Sequence, residues 1–175
     1  GIAKLIGAVD EGVPVLGLEP SCLLSLADEW PELVPGPEAK RVAEAAHLVE
    51  AWLANEVAEK KCELSVPSNG SKAFFHGHCH QKALVGVGGT QSALKLVPNL
   101  DVTTLDAGCC GMAGAFGYEE EHYDLSVKIA GLQLLPALAA DPNATVIATG
   151  TSCRHQIRDL TGRRAVHPIE LFAGS

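Results

Sequence analysis

Five of the six cysteines in this 175-residue chain lie in turns rich in glycine, proline or histidine, where core-filling residues are uncommon. These five are Cys22, Cys79, Cys109, Cys110 and Cys153. The sixth, Cys62, stands alone between a predicted helix and a loop, and we interpret it as a buried structural cysteine. Disulfide frameworks are typical of small secreted domains without a core, whereas 47% of these residues are hydrophobic. Thiolates are soft ligands for iron–sulfur clusters, zinc or copper(I), so the pattern indicates metal or redox chemistry.

The cysteine turns follow short apolar runs that predict buried strands. The predicted strands are residues 13–18, 73–75, 102–105 and 145–148. The predicted helices are residues 2–9, 37–60, 91–97, 119–139 and 155–160. Strands that alternate with helices indicate an α/β fold with a mostly parallel sheet. Because parallel strands end at the same edge of a sheet, we expect the cysteine loops at their C-terminal ends to bring the thiols together.

Glycines flank the adjacent pair Cys109 and Cys110. Neighbouring residues on an extended chain point in opposite directions, so a tight turn is needed to bring both sulfurs to one centre. Gly108 and Gly111 supply the conformational freedom for that turn, and the small residues around them leave space for a bulky cofactor. A disulfide between Cys109 and Cys110 is the alternative, although such a bridge is strained.

Residues 12–26 and 143–157 form a weak internal repeat without gaps, in which Ser21-Cys22 aligns with Ser152-Cys153. Helix, strand and cysteine turn follow in the same order in both copies. We therefore expect two pseudo-symmetric, Rossmann-like halves in one compact domain. Residues 1–70 would hold the remainder of the first half and a helical connector, and residues 71–175 the second half. Since the chain starts at Gly1, within a helix-like segment, we expect it to be the C-terminal part of a longer protein.

Several polar residues adjoin the cysteines and are candidates for hydrogen bonds to their sulfurs. They are His78, His80, His155, Gln156 and Glu19. Histidine is also a common metal ligand, and for His78 both roles stay open. Glu19 and Asp106 stand just before cysteine turns, where capping of the turn is favoured over a proton or substrate role. His76 is predicted to be structural.

Charge and composition argue against two classes of partner. The net charge is −8 and no Lys/Arg cluster is longer than Lys60–Lys61, which disfavours nucleic acid and anionic membranes. Aromatic residues make up 5% of the chain, too few for base-stacking platforms. No apolar stretch approaches the roughly 20 residues of a membrane helix, and no secretory signal is evident. We expect a cytoplasmic protein that reaches the inner face of a membrane only through a redox partner.

The motifs HGHCHQKA, DAGCCGMAG and GTSCRHQI, which begin at residues 76, 106 and 150, resemble the cysteine-rich CCG-domain family. That family includes heterodisulfide reductase, and its cysteine pattern is usually present twice. Cys79, Cys109-Cys110-Gly111 and Cys153 match the second copy, and Glu19-Pro20-Ser21-Cys22 resembles the closing motif of the first. The motifs are most similar to the C-terminal iron–sulfur region of FAD-linked oxidases akin to D-lactate and D-2-hydroxyglutarate dehydrogenases.

The resemblance implies that Cys79, Cys109, Cys110 and Cys153 hold a 4Fe–4S cluster for electron transfer. It also implies a parent protein that oxidises a D-2-hydroxy acid, with FAD bound outside this segment. The flavin domain of the parent chain would then donate electrons, and a quinone or a carrier protein would accept them. The last cysteine of the family's Cys-x-x-Cys is Gln156 here, and Cys22 could supply the missing thiolate. Four thiolates suffice for a 4Fe–4S cluster.

Two other functions would use the same thiols. A structural zinc site needs three or four of them, and an isolated segment that loses an oxygen-sensitive cluster is expected to hold zinc or no metal. A thiol–disulfide enzyme that cycles Cys109 and Cys110 ranks last, because no pocket for a substrate thiol is evident. In each case we do not expect this segment alone to be a complete enzyme.

Overall fold

The computed structural model describes residues 1–173, and every strand in this part of the chain pairs in parallel with its neighbours. The strands are β1 (Val15–Gly17), β2 (Ala46–Leu48), β3 (Lys72–His76), β4 (Asp101–Thr104), β5 (Thr145–Ala148) and β6 (Ala165–Val166). The helices are α1 (Ile2–Asp10), α2 (Pro20–Ala27), α3 (Glu29–Leu33), α4 (Pro37–Glu44), α5 (Val49–Ala58), α6 (Cys79–Leu84), α7 (Gly88–Leu94), α8 (Glu120–Leu132), α9 (Leu134–Ala139), α10 (Thr151–Thr161) and α11 (Glu170–Ala173). The predicted α/β fold with parallel strands is confirmed.

A four-stranded sheet of order β4-β3-β5-β6 forms the centre of the C-terminal part. Its middle strands β3 and β5 are paired from Ala73 with Thr145 to His76 with Ala148. Phe75 on β3 and Ile147 on β5 are fully buried. Strands that are covered by helices on both faces consist of such continuous apolar runs, which is why the sequence predicts these strands well.

A two-stranded parallel sheet, β1 with β2, forms the N-terminal part. The predicted single helix over residues 37–60 is wrong, because Ala46–Leu48 leaves the helix and pairs with β1. The apolar residues of this segment have helical spacing on both sides of the break, so periodicity alone does not reveal it. Pairing with β1 satisfies the backbone of the interruption.

The predicted helix over residues 119–139 is likewise divided, into α8 and α9. Pro136 explains the position of the break, since it has no N–H to donate to the carbonyl of Leu132 and its ring clashes with that carbonyl in a continuous helix. Helix α8 ends at Leu132, and Gln133 takes φ −142°, outside the helical region. The break frees the Gln133 side chain for a contact with the cysteine loop.

The cysteine turns all follow strands at their C-terminal ends, as expected. Cys22 and Cys153 are each the third residue of the helix after a strand, α2 after β1 and α10 after β5. Cys110 and Cys153 are packed in the apolar core with Met112, Leu134 and Ile157. Among the described residues, none of the helices combines the length and apolarity needed to cross a lipid bilayer.

Candidate metal centre

Four thiols form a row in the order Cys79, Cys109, Cys110 and Cys153, which we call the thiol row. Cys79 begins α6, Cys153 lies in the first turn of α10, and the pair between them lies in the loop after β4. Neighbours in the row lie close enough to alter each other's pKa. Cys110 and Cys153 are buried, and Cys79 and Cys109 are half-buried. All six cysteines of the chain are free thiols in this structure.

Interactions between neighbouring sulfurs shift pKa values along the thiol row. Interaction with the Cys109 sulfur raises the pKa of both Cys79 and Cys110. Interaction with the Cys110 thiol lowers the pKa of both Cys109 and Cys153. The four sulfurs therefore interact in sequence, with Cys109 and Cys110 each affecting the pKa of both of its neighbours in the row. Because soft metals bind thiolates and release protons on binding, such a group of sulfurs is suited to exchange its protons for metal.

The turn after the cysteine pair depends on Gly111. This residue takes φ +98°, and a Cβ added to it would collide with the backbone carbonyl of Ser126. Its amide donates a hydrogen bond to the Cys109 sulfur at 3.2 Å. The glycine of the Cys-Cys-Gly motif is thus required both by backbone conformation and by the close approach of α8.

Lys82 and Gln133 hold the loop before the pair. The Lys82 ammonium donates to the carbonyl of Ala107 and, at 2.7 Å, to that of Gly108. The amide of Gly108 donates to Gln133 Oε1 at 2.9 Å. The sequence does not single out either residue, although Lys82 lies only three residues after Cys79.

Glu19 joins the N-terminal part to the helix that carries Cys153. Its Oε2 accepts a hydrogen bond from the Thr151 amide at 2.6 Å, at the start of α10. Burial opposes ionisation of Glu19, but the hydrogen bonds from Thr151 and Ser21 outweigh it and lower the pKa of the carboxyl. Glu19 therefore caps a helix, as favoured from the sequence, but the helix lies 132 residues further along the chain.

His78 and Gly150 are packed against Cys153. The Nδ1 atom of buried His78 accepts from the His80 amide at 3.2 Å, which places the ring proton on Nε2, 4.0 Å from Glu19 Oε1. A Cβ on Gly150 would collide with the His78 ring and lie 3.2 Å from the Cys153 sulfur. The sequence does not reveal this role of Gly150, because it depends on a close approach of His78 to the turn before α10.

A buried polar chain leads from α5 to the turn that carries Cys79. Glu50 Oε1 accepts from the Thr90 hydroxyl at 2.9 Å, and Thr90 in turn accepts from Gln81 Nε2 at 2.8 Å. Gln81 Oε1 accepts from the Thr149 hydroxyl at 2.9 Å, which itself accepts from the His78 amide at 3.3 Å. Burial raises the pKa of Glu50, so its carboxyl favours the neutral form. The chain fixes the ends of β3 and β5 to each other and to α5.

The other residues singled out from the sequence lie outside this contact network or serve other partners. Cys22 is exposed on α2, and Cys62 is half-buried rather than buried. The His80 ring lies within 4.8 Å of the carboxylates of Asp28 and Glu29. His155 Nδ1 shares a hydrogen bond of 2.6 Å with the Tyr118 hydroxyl. Gln156 Nε2 donates to the Ser126 hydroxyl at 2.9 Å. Their predicted roles at the centre stay predictions.

Comparison with curated proteins gives clear relatives. The chain is 31% identical over 163 residues to a subunit of the anaerobic glycerol-3-phosphate dehydrogenase of Escherichia coli K12, covering 93% of this chain and 40% of that protein. It is 29% identical over 160 residues to the D-2-hydroxyglutarate dehydrogenase of Pantoea ananatis, and 30% identical over 160 residues to that of Escherichia coli K12, covering 91% of this chain and 15% of each relative. These relatives are dehydrogenases or parts of dehydrogenases.

No protein-family model and no solved structure matches the chain. The chain spans less than half the length of each of the three relatives named above. The relatives act, by their names, on different substrates, yet both kinds match nearly all of this segment.

Proposed function

We propose that this segment holds a 4Fe–4S cluster on Cys79, Cys109, Cys110 and Cys153 and transfers electrons within a larger oxidoreductase. The thiol row carries the proposal, because four free cysteine sulfurs lie next to one another at the C-terminal ends of parallel strands, and thiolates are the ligands that soft metals prefer. Four cysteine thiolates are the usual ligand set of such a cluster. The donor set therefore fits the cofactor.

The spacing of the sulfurs supports a cluster over zinc. A single tetrahedral zinc with thiolates at about 2.3 Å requires sulfurs about 3.8 Å apart from one another. Within residues 1–173, the groups of three or more ligand atoms that all lie within 4.8 Å are Asp28 with Glu29 and His80, and Glu119 with Glu121 and His122. No three sulfurs of the thiol row form such a group. A row of this breadth is suited to several metal ions rather than one.

The relatives support a redox role that is independent of the substrate. A glycerol-3-phosphate dehydrogenase subunit and a D-2-hydroxyglutarate dehydrogenase share this segment despite their different substrates. A segment common to both is better suited to a step that both reactions need, which is removal of electrons. We propose that a flavin domain of the parent protein supplies the electrons and that a quinone or carrier protein accepts them. For the parent substrate we propose a D-2-hydroxy acid, as in the D-2-hydroxyglutarate dehydrogenases.

The bound cluster would accept and release one electron at a time. Around it, the buried Cys110 and Cys153 would exclude water, and the Gly111 amide would stabilise negative charge on the Cys109 sulfur. Lys82 would hold the loop that presents the cysteine pair. Residues 1–70 would supply the Glu19 cap as the remainder of a first cysteine motif, and residues 71–175 would supply all four ligands.

Anaerobic reconstitution with iron and sulfide tests this function. We expect about four irons and four sulfides per chain, a brown chromophore and an EPR signal after reduction. Cys110→Ser should lose the cluster and keep the circular dichroism of the fold. Cys62→Ser is the matched control and should load normally, since Cys62 lies outside the thiol row. Absence of bound iron together with one tightly bound zinc per chain would contradict the proposal and favour the structural zinc alternative.

A further inference from the structure

His76 is a fully buried histidine whose ring nitrogens are unsatisfied. The residue is 0% exposed, and neither Nδ1 nor Nε2 has a hydrogen-bond partner among the described residues. A buried polar atom without a partner is costly, and native proteins rarely keep one without a function or an additional bound group. An apolar side chain at this position would carry no such cost.

His76 lies at the end of the sheet where the helix that carries Cys153 begins. His76 is the last residue of β3 and is paired with Ala148, the last residue of β5. Cys153 lies in the first turn of the helix that follows β5. The His76 ring is near enough to this sulfur to contribute to the lowered pKa of Cys153, after the larger effect of Cys110 and against the effect of burial.

The chemistry of the two groups is complementary. A neutral imidazole always carries one N–H donor. A thiol sulfur is a weak acceptor, whereas an anionic sulfur accepts a charge-assisted hydrogen bond. One of the unsatisfied ring nitrogens therefore gains its best partner when Cys153 is a metal-bound thiolate.

We propose that His76 donates a ring N–H to the metal-bound sulfur of Cys153 and thereby raises the reduction potential of the centre. This inference rests on the proposed function. A hydrogen bond to a ligating sulfur draws electron density from the metal, so it stabilises the reduced form more than the oxidised form. His76 acts here as a positioning residue that works through Cys153, not as a ligand.

The test uses the reconstituted protein and two substitutions that remove the donor, His76→Phe, which keeps a ring, and His76→Leu. Both should retain the iron content and show a lower midpoint potential in an EPR-monitored redox titration. At least one of His76→Asn and His76→Gln, which keep an N–H donor, should restore the potential toward that of the wild type. His47→Leu, at an exposed histidine, is the control and should leave the midpoint potential unchanged.

A second readout does not depend on the iron–sulfur cluster. In protein loaded with Co²⁺, the thiolate-to-metal charge-transfer band should move to lower energy in His76→Phe, because a sulfur without its hydrogen bond is a stronger electron donor. Folded donor-free variants with an unchanged potential and an unchanged band would overturn the role of His76. Failure of the wild type to bind iron, with the band shift present, would overturn the cluster but keep the hydrogen bond.

Discussion

One methyl group added at Gly150 should disturb the proposed metal centre at Cys153 without straining the backbone. The residue takes φ −80° and ψ 135°, which any amino acid adopts, so Gly150→Ala introduces no backbone strain. The new Cβ would collide with the His78 ring and lie 3.2 Å from the Cys153 sulfur. One of these two side chains must therefore move.

The effect of Gly150→Ala on the free energy of unfolding can be estimated from the packing around His78. His78 is buried, its amide is bound to Thr149 at 3.3 Å, and its Nε2 lies 4.0 Å from Glu19, so the ring has little room to turn away. Inserting a methyl group into such a packed region costs about 1–3 kcal/mol. Displacement of a ligand from its supporting contacts weakens metal binding by about 10–100-fold. We expect both effects in Gly150→Ala.

Urea unfolding of the reduced, metal-free protein would measure the first effect, and Co²⁺ titration the second. Gly131→Ala is the matched control, since a Cβ there meets no atom within 4 Å and the residue lies inside α8. We expect that control to stabilise the protein by about 0.5–1 kcal/mol and to bind Co²⁺ normally. If Gly150→Ala is as stable as the wild type and binds Co²⁺ equally well, the packing argument for this loop is wrong.

Three further changes test other contacts. Lys82→Met removes the donor to the carbonyls of Ala107 and Gly108, which hold the loop just before Cys109. Because that loop is then less restrained, Cys109 in the metal-free protein should react several-fold faster with iodoacetamide. An equal rate would contradict the role of Lys82. Burial raises the pKa of Glu50, so the folded state binds this proton more tightly than the unfolded state does. The free energy of unfolding of the wild type should therefore fall as pH rises above the ordinary pKa of 4.5. The expected slope is about 1.4 kcal/mol for each pH unit until the carboxyl ionises in the folded protein. Urea unfolding between pH 4 and 8 should show this slope in the wild type and lose it in Glu50→Gln. Glu19 has a lowered pKa, so its contribution should be complete above pH 4.5 and decline as pH falls further; Glu19→Gln should remove that acid sensitivity.

Local patterns account for the parts of the fold that the sequence predicts well. The predicted strand over residues 145–148 coincides with β5, because its apolar run is buried on both faces and bounded by turn residues. Residues 37–60 keep helical spacing across a real strand, and the pairing of Ala46–Leu48 with β1 depends on a distant segment. Periodicity reports which residues are apolar and not which backbone groups they pair with.

In the candidate site too, local patterns are predictable from the sequence and contacts with distant segments are not. Cysteine turns after strands predict the thiol row, because parallel strands end at a common edge. The sequence predicts a structural role for His76, since nothing in its neighbours along the chain reveals that its ring would be buried near Cys153 without a partner. Lys82 and Glu19 likewise act on segments 25 to 132 residues away. Contacts of this range are set by the register of strands and not by local sequence.

The hydrogen bond from Thr151 to Glu19 also limits how the chain can be dissected. A protein expressed from residue 71 onward would contain all four thiols of the row but would expose the first turn of the helix that carries Cys153. The N–H groups of that turn would then face water, and the Cys153 sulfur would lose part of what fixes its direction. Such a truncated protein is a poor minimal unit for spectroscopy or design. A shorter protein that keeps the thiol row intact would have to retain the loop from Leu18 to Ser21, supplied in the same chain or as a separate peptide.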